Sequence, residues 1–149
     1  VRACNLAGCS SFSEIANATT KSIQYWQVAK SANYGTLCKK DFNLTTIPDM
    51  TLNINTTGSP VLVSFASTFT NEPTYSGVVH INLIVDGKSE GMWLAGSPNS
   101  RVWDTVSFQK VLPLDAGNHN ISIKWAISSV FPGTVCQHYS RILTVMEIK

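Results

Sequence analysis

The sequence predicts an all-β protein, a two-sheet antiparallel sandwich of about eight to nine strands that follows an N-terminal hairpin or strand segment. Three observations predict this fold. Ser, Thr and Asn fill 42 of the 149 positions; Thr favours strands, whereas Ser and Asn favour turns. Short stretches alternate apolar and polar side chains between Gly, Pro, Asn or Asp residues. No stretch repeats apolar residues at helical spacing.

The first twenty residues differ in pattern from the rest and predict a strand, a turn and a second strand. The main domain is expected at 21–149. Its predicted strands are Ser22–Val28, Thr36–Thr46, Met50–Thr56, Val61–Ala66, Val78–Asp86, a short one around Met92–Leu94, Arg101–Leu112, Asn120–Ser128 and Tyr139–Lys149.

Turn signals separate these strands. Pro48–Asp49 marks a boundary between strands, Thr57–Pro60 predicts a turn, Gly96–Ser100 predicts a loop, and Asp86–Gly87 is a strong hairpin signal. Alternation then assigns the faces. It directs Val79, Ile81, Leu83, Val85, Ile121, Ile123, Trp125 and Ile127 inward, and His80, Asn82, Asn120, Ser122 and Lys124 outward.

Composition excludes several classes of protein. Charged residues are only 13% of the chain, the net charge is +2, and no basic cluster is present, so we expect no nucleic-acid partner. No apolar run reaches the length of a membrane span, so we expect no membrane insertion. The chain begins without Met or a signal peptide, which predicts a mature chain or a piece of a longer one.

Two resemblances refine the fold. Val1-Arg-Ala-Cys-Asn5 and Ser11–Thr20 resemble the last hairpin of a fibronectin type III domain, whose first five strands have no counterpart here. Most of 21–149 resembles a family of jelly-roll modules, similar in shape to the tumour-necrosis-factor-like sandwich, in prokaryotic extracellular and phage virion proteins. The matching stretches are Thr51-Leu-Asn-Ile-Asn-Thr-Thr-Gly-Ser-Pro-Val-Leu-Val63, Leu83-Ile-Val-Asp-Gly87, Leu114-Asp-Ala-Gly-Asn-His-Asn-Ile-Ser-Ile-Lys-Trp125 and Arg141-Ile-Leu-Thr-Val-Met-Glu147. This resemblance implies a jelly roll that serves in fibres, spikes and surface assemblies, often as an oligomer and without catalysis.

The four cysteines, which are Cys4, Cys9, Cys38 and Cys136, allow three pairings. Cys4 and Cys9 bracket a natural hairpin tip, which favours a cross-strand disulfide there and leaves Cys38 to pair with Cys136. Four free buried thiols are the alternative. No CxxC pair is present, so we expect no metal. The cysteines favour an extracellular, cell-surface or virion location.

Four N-x-S/T sequons, at Asn17, Asn43, Asn55 and Asn120, are candidate glycosylation sites. Alternation places Asn55 and Asn120 on solvent-facing sides of their strands. A chain this rich in Asn, Ser and Thr also produces sequons by chance, so glycosylation depends on the host.

No motif supports catalysis. Gly96-Ser97-Pro98 lacks the second glycine of a nucleophile elbow, the three histidines are isolated in sequence, and the acids are scattered. We therefore expect no catalytic residues and no cofactor. Trp93 and Trp103 flank the predicted loop and are a possible platform for stacking on a sugar; core packing or a subunit interface is the alternative use of these indoles.

The N-terminal segment is a candidate docking strand, because an isolated hairpin is marginally stable in water. Phe12, Ile15, Ala16 and Ala18 are its candidate interface residues. We expect a structural subunit of an extracellular or virion filament, fibre or spike whose partners are copies of itself. A glycan- or receptor-binding adhesion module is the first alternative, with cell-surface glycans as partners, and a hydrolase is the second.

Overall fold

The computed structural model describes residues 4–5, 8–9, 22–31, 37–39, 42–71, 77–97, 103–129 and 135–148. These residues form eleven strands and include no helix long and apolar enough to cross a membrane. The strands are β1 (Cys4–Asn5), β2 (Gly8–Cys9), β3 (Tyr25–Ser31), β4 (Leu37–Lys39), β5 (Thr45–Thr57), β6 (Val61–Asn71), β7 (Gly77–Val85), β8 (Lys88–Ser97), β9 (Trp103–Leu112), β10 (Ala116–Ser129) and β11 (Val135–Glu147).

Two antiparallel sheets confirm the predicted sandwich. One sheet has the strand order β3-β11-β6-β9, with β4 also pairing with β11, and the other has the order β5-β10-β7-β8. From β5 onward the chain changes sheet at each connection except the β7–β8 hairpin, which turns at Asp86 and Gly87. This alternation between layers is the jelly-roll pattern. β1 and β2 form a separate hairpin closed by a Cys4–Cys9 disulfide.

The core lies between the sheets and consists of the side chains that alternation directs inward. All eight residues predicted to face inward, from Val79 to Ile127, are buried. Phe65, Phe69 and Phe108 join them from the other sheet, and Phe69 lies 6.0 Å from Trp125 between ring centroids. Because strands of both sheets turn mainly apolar side chains toward this layer, burial of these side chains is the main source of stability.

A buried carboxylate ties the end of β11 to the turn between β5 and β6. Glu147 is fully buried, and its Oε1 accepts hydrogen bonds from the backbone N–H and the hydroxyl of Thr57, at 2.7 and 2.6 Å, and from the N–H of Ser59 at 3.4 Å. Such bonds compensate the loss of hydration of a buried charge. Since this turn leads from one sheet to the other, the bonds fix one crossing between layers.

The predicted strand boundary at Pro48–Asp49 is wrong, because both residues lie inside β5. They sit at a break in register, where the β10 residues Ser122 and Lys124 pair with Thr51 and Thr46. β5 is an edge strand, so a proline without an N–H removes little pairing there. The side chain of Arg141 donates to the carbonyl of Pro48 at 3.2 Å.

Other strand boundaries are also corrected. The predicted strand Thr36–Thr46 is replaced by the short β4 and the start of β5, β8 is longer than the stretch around Met92–Leu94, and β8 continues into the predicted Gly96–Ser100 loop. Asn82 and Ser122, predicted to face solvent, are buried. Both lie on the middle strands of their sheet, where flanking side chains cover them, and Asn82 Oδ1 accepts a 2.8 Å hydrogen bond from Ser89.

Gly91 makes room for the indole of Trp93. Its φ is +156°, and a Cβ added there would lie 2.9 Å from Cη2 of Trp93. We expect Gly91→Ala to lower the free energy of unfolding by about 1–3 kcal/mol, through the clash and the backbone conformation together. Denaturant unfolding measures the change.

Gly117→Ala is the matched control. Gly117 also has a positive φ, of +138°, but an added Cβ there meets nothing within 4 Å. We therefore expect the smaller loss at Gly117, and an equal loss at the two positions would contradict a steric role for Gly91.

Candidate functional site

The outer face of the β3-β11-β6-β9 sheet carries uncharged side chains at the twelve described positions where its four strands pair. Register places twelve of its side chains in three rungs that cross four strands. The rungs are Tyr25–Met146–Leu62–Val111, Gln27–Thr144–Ser64–Gln109 and Ala29–Ile142–Ala66–Ser107. We call these twelve residues the uncharged face. Solvent-facing sheet surfaces usually carry charged side chains that prevent association, so this surface is a candidate interface.

The middle of the uncharged face is concave. A groove of about 440 Å³ lies over Ser64, Ala66, Ser107, Gln109, Ile142 and Thr144. Small side chains make its floor, while Tyr25 and Val111 at the ends of the first rung are more than half exposed. Taller side chains therefore stand beside a shallow floor of mixed polar and apolar groups, a shape that a second protein surface can contact.

A smaller apolar patch lies on the outer face of the other sheet. Val78, Met92 and Leu94 are exposed there, and the ring of Phe42 meets that of His80 edge-on at 5.0 Å. Burial against these neighbours lowers the pKa of His80, because desolvation disfavours the imidazolium. We call these five residues the His80 patch.

His80 also forms a close pair with a hydroxyl, as a nucleophile and a base would. Its Nε2 lies 2.7 Å from Oγ of Ser128, but its Nδ1 faces the thioether sulfur of Met92 at 3.3 Å. A thioether is a weak acceptor and cannot stabilise an imidazolium as the carboxylate of a catalytic triad does. This pair therefore lacks the third member of a triad.

A polar cleft opens beside β3, β5 and β10, where asparagines on neighbouring strands pair through their side chains. Asn55 Nδ2 donates to Asn118 Oδ1 and Asn120 Nδ2 donates to Asn53 Oδ1, both at 2.8 Å. The cleft has a volume of about 520 Å³ and is lined by Trp26, Asn53, Ile54, Asn55, Asp86, Asn118, His119 and Asn120. We call it the amide cleft.

An ion pair holds one wall of the amide cleft. Asp86 Oδ1 accepts the backbone N–H of Asn120 at 2.8 Å, and Oδ2 accepts from Nδ1 of His119 at 2.7 Å. The hydrogen bond from His119 lowers the pKa of Asp86, and the same bond, followed by that of His119 Nε2 to the carbonyl of Asp115 at 2.9 Å, raises the pKa of His119.

The predicted aromatic platform is not formed by Trp93. Its indole stacks on Phe108 with ring centroids 3.7 Å apart and planes 7° from parallel, and it packs against the core. One face is thus covered by a neighbour on β9, because β8 and β9 meet at the edge of the sandwich. The side chain of Trp103 lies outside the described residues, although its backbone starts β9.

The structure describes some of the predicted glycosylation, docking and cysteine residues and not others. Asn43, Asn55 and Asn120 are exposed, so their glycosylation stays a prediction, while Asn17 and the docking residues Phe12, Ile15, Ala16 and Ala18 lie outside the described residues. Cys38 and Cys136 are directly opposite in the β4–β11 pair, and their disulfide stays a prediction.

Sequence reasoning missed the amide cleft. It assigned Asn53, Asn55 and Asn120 to solvent-facing sides, but it did not bring them together with Asn118, Asp86, His119 and Trp26. Alternation in Asn118-His-Asn120 was a usable signal, because it separates the two amides from the imidazole. The sequence does not supply the register that places these amides of β10 opposite those of β5.

Comparison with known proteins shows the fold. No protein-family model and no curated protein sequence matches the chain. Among solved structures, that of the Gx strain of infectious bursal disease virus is similar over 99% of this chain and 46% of its own, with a TM-score of 0.54 and 9% identity. The VP2 subviral particle of that virus matches 84% of this chain and 37% of its own, with a TM-score of 0.53 and 11% identity. The chain thus spans less than half the length of these structures, and such low identities show a shared fold alone.

The Asp86–His119 pair makes the stability of the fold depend on pH. A raised pKa makes His119 stabilise the fold below its ordinary pKa of about 6.5, and this contribution is lost as the pH rises through the folded value. A lowered pKa makes Asp86 stabilise the fold above its ordinary value of about 4, and this contribution is lost as the pH falls through the folded value. The coupling is therefore strongest between these two values.

A double-mutant cycle of Asp86→Asn and His119→Gln measures this coupling through the free energy of unfolding. We expect at most about 1 kcal/mol near pH 5, because Asp86 is exposed, and less near pH 8. A coupling that is larger near pH 8 would contradict the charged pair.

Proposed function

We propose that the chain is a non-enzymatic structural subunit of an extracellular or virion assembly, a filament, fibre or spike, in which copies associate through their sandwiches. In this proposal residues 21–149 form the jelly-roll module, of the kind found in prokaryotic extracellular and phage virion proteins. The fold shared with the protein of a subviral particle supports a role in assembly. The Cys4–Cys9 disulfide supports an oxidising location.

The observation that carries the proposal is the uncharged face. Two copies that meet through this face place no like charges together and leave no buried charge unpaired. From strand spacing and rise, the three rungs span roughly 400 Å². A stable pair needs about 800 Å² on each partner. One such contact is therefore weak, which suits an assembly in which each subunit makes several contacts.

The N-terminal segment is the proposed second contact. Residues 1–20, which resemble the end of a fibronectin type III module, would dock on a neighbouring copy by strand addition to a sheet edge. The edge strands β3 and β9 of one sheet and β5 and β8 of the other are the candidate acceptors. A head-to-tail contact of this kind does not close on itself and produces a filament.

The alternative functions have less support. A hydrolase would need a carboxylate behind His80, where Met92 lies. An adhesion module with a tryptophan platform would need an exposed indole at Trp93, which is stacked on Phe108.

A single charge on the uncharged face tests the proposal. Ser107 is exposed in the third rung, so Ser107→Lys adds a cation without removing core packing. We expect it to weaken self-association by at least about tenfold, because a contact between like faces brings the new charges together or buries them. Sedimentation velocity over a range of protein concentrations measures the association.

Thr51→Lys is the matched control, because Thr51 is an exposed hydroxyl residue on the outer face of the other sheet. We expect Thr51→Lys to associate as the wild type does, and both variants to unfold at the wild-type denaturant concentration. A wild type that stays monomeric throughout, or equal effects of the two variants, would contradict an interface on the uncharged face.

Deletion of residues 1–19 tests the second contact. We expect the remaining chain to fold, because the core comes from β5 to β11, but not to form the native assembly. Electron microscopy and mass measurement of the two proteins give the result. A shortened chain that still forms the native oligomer would refute docking by this segment without affecting the test of the uncharged face.

A further inference from the structure

The amide cleft presents unused hydrogen-bonding groups in a fixed arrangement. The register sets Asn118 opposite Asn55 and Asn120 opposite Asn53, so the two amide pairs form neighbouring rungs across β5 and β10. In each pair one N–H donates to one carbonyl. A side-chain amide has two donors and one acceptor oxygen. Each pair therefore still offers the NH₂ of one asparagine and the carbonyl of the other.

Asp86 and His119, which line the cleft beside these amides, are held by hydrogen bonds. Both carboxylate oxygens of Asp86 are used, one by the N–H of Asn120 and one by His119. The second ring nitrogen of His119 is bonded to the carbonyl of Asp115. These bonds hold the β10 backbone between the two amide pairs, so the amides are positioned before any ligand arrives.

The residues that line the amide cleft indicate which class of ligand it can bind. Among the lining residues, His119 is the single side chain that can carry a positive charge, and it is paired with Asp86, so no cation is left for an anion such as a phosphate. Asp86 is the single carboxylate of the lining and is already used, which disfavours a divalent cation. The four exposed amides disfavour a wholly apolar ligand.

Sugar hydroxyl groups match this lining. Each hydroxyl both donates and accepts, so neighbouring hydroxyls can bond to the NH₂ of one amide and the carbonyl of the next. Trp26 lines the same cleft; its side chain packs in part against the core, and the rest of its apolar surface can contact the C–H groups of a sugar ring. The volume of about 520 Å³ lies within the range of about 300–1,000 Å³ that is usual for small-ligand sites.

We propose that the amide cleft is a binding site for a neutral saccharide, with Asn53, Asn55, Asn118 and Asn120 as its hydrogen-bonding groups and Trp26 as its apolar wall. The four asparagines of this site lie on β5 and β10, on the sheet opposite the uncharged face, so their binding of a ligand does not require self-association. Asp86 and His119 are positioning residues, because they act on the ligand through Asn120 and the β10 backbone.

The sequons add a second source of the same chemistry. Asn55 and Asn120 are themselves glycosylation acceptors by sequence. A glycan carried on either residue would occupy the cleft and compete with a saccharide from outside. The test therefore uses the full chain made in a bacterial periplasm, where disulfides form and these sequons receive no glycan.

Heteronuclear NMR of this full chain, titrated with the methyl glycosides of glucose, galactose, mannose and N-acetylglucosamine, tests the site. For at least one glycoside we expect saturable shifts of the indole N–H of Trp26 and of the side-chain NH₂ groups of Asn53 and Asn118. If none of the four gives saturable shifts, or if the shifts lie outside the amide cleft, the proposal is wrong.

Two variants and one control separate binding from folding. Asn53→Thr and Asn118→Thr each introduce a strand-favouring residue and remove an unused NH₂ together with the carbonyl that accepts from the paired amide. We expect each to weaken binding by about fivefold or more. Asn43→Thr makes the same exchange at an exposed position outside the cleft and should bind as the wild type does. Equal affinity in all four proteins would overturn the assignment of the amides.

A glycosylated sample gives a separate check of position. Where mass spectrometry shows a glycan on Asn55 or Asn120, we expect the added glycoside to bind at least about tenfold more weakly, because the cleft is filled. Unchanged affinity in such a sample would place the saccharide elsewhere and contradict the proposal.

Discussion

The burial of one whole face of each sheet is the constraint on which the rest of this structure depends. Side chains alternate along a strand, so a sheet that gives one face to the core keeps only its other face and its edges for contacts. Val63 and Phe65 show the rule, because both are buried while Ser64 between them faces out. A function of this sandwich must therefore arise on outer faces, at edges or at the ends of strands, and all three candidate surfaces lie there.

The few buried charges lie where the chain has to leave this pattern. Glu147 holds the turn from β5 to β6 with three hydrogen bonds, and Arg141 donates to the carbonyl of Pro48 beside the register break in β5. Asp49 has a positive φ of +64°, and its Oδ2 lies 3.6 Å from Nη2 of Arg141 and 3.6 Å from Nζ of Lys30. A buried charge is stable only with such partners. These contacts fix the edge of β5, and with it the position of the asparagines in the amide cleft.

Sequence alternation predicts the fold and the core, but not the site. It identifies Ile121, Ile123 and Trp125 as buried because the signal is local to one strand. The amide cleft depends on which residue of β10 lies opposite Asn55, and register follows from packing over the whole sheet. Pro48 was misread for a similar reason, because its tolerance depends on β5 being an edge strand. The sequence leaves Trp93 open between a platform and core packing, because its partner Phe108 lies on another strand and in the other sheet.

The uncharged face and the amides of the amide cleft are placed so that self-association and saccharide binding can occur together. The uncharged face belongs to the β3-β11-β6-β9 sheet, whereas the asparagines of the amide cleft belong to β5 and β10 of the opposite sheet. Copies that associate through the first surface would leave those amides facing outward. Repetition would then present many identical sites on one particle, and weak saccharide binding at each would add up to firm attachment. A chain with so few charges can thus combine a structural role with adhesion, because the uncharged face and the four amides lie on different sheets.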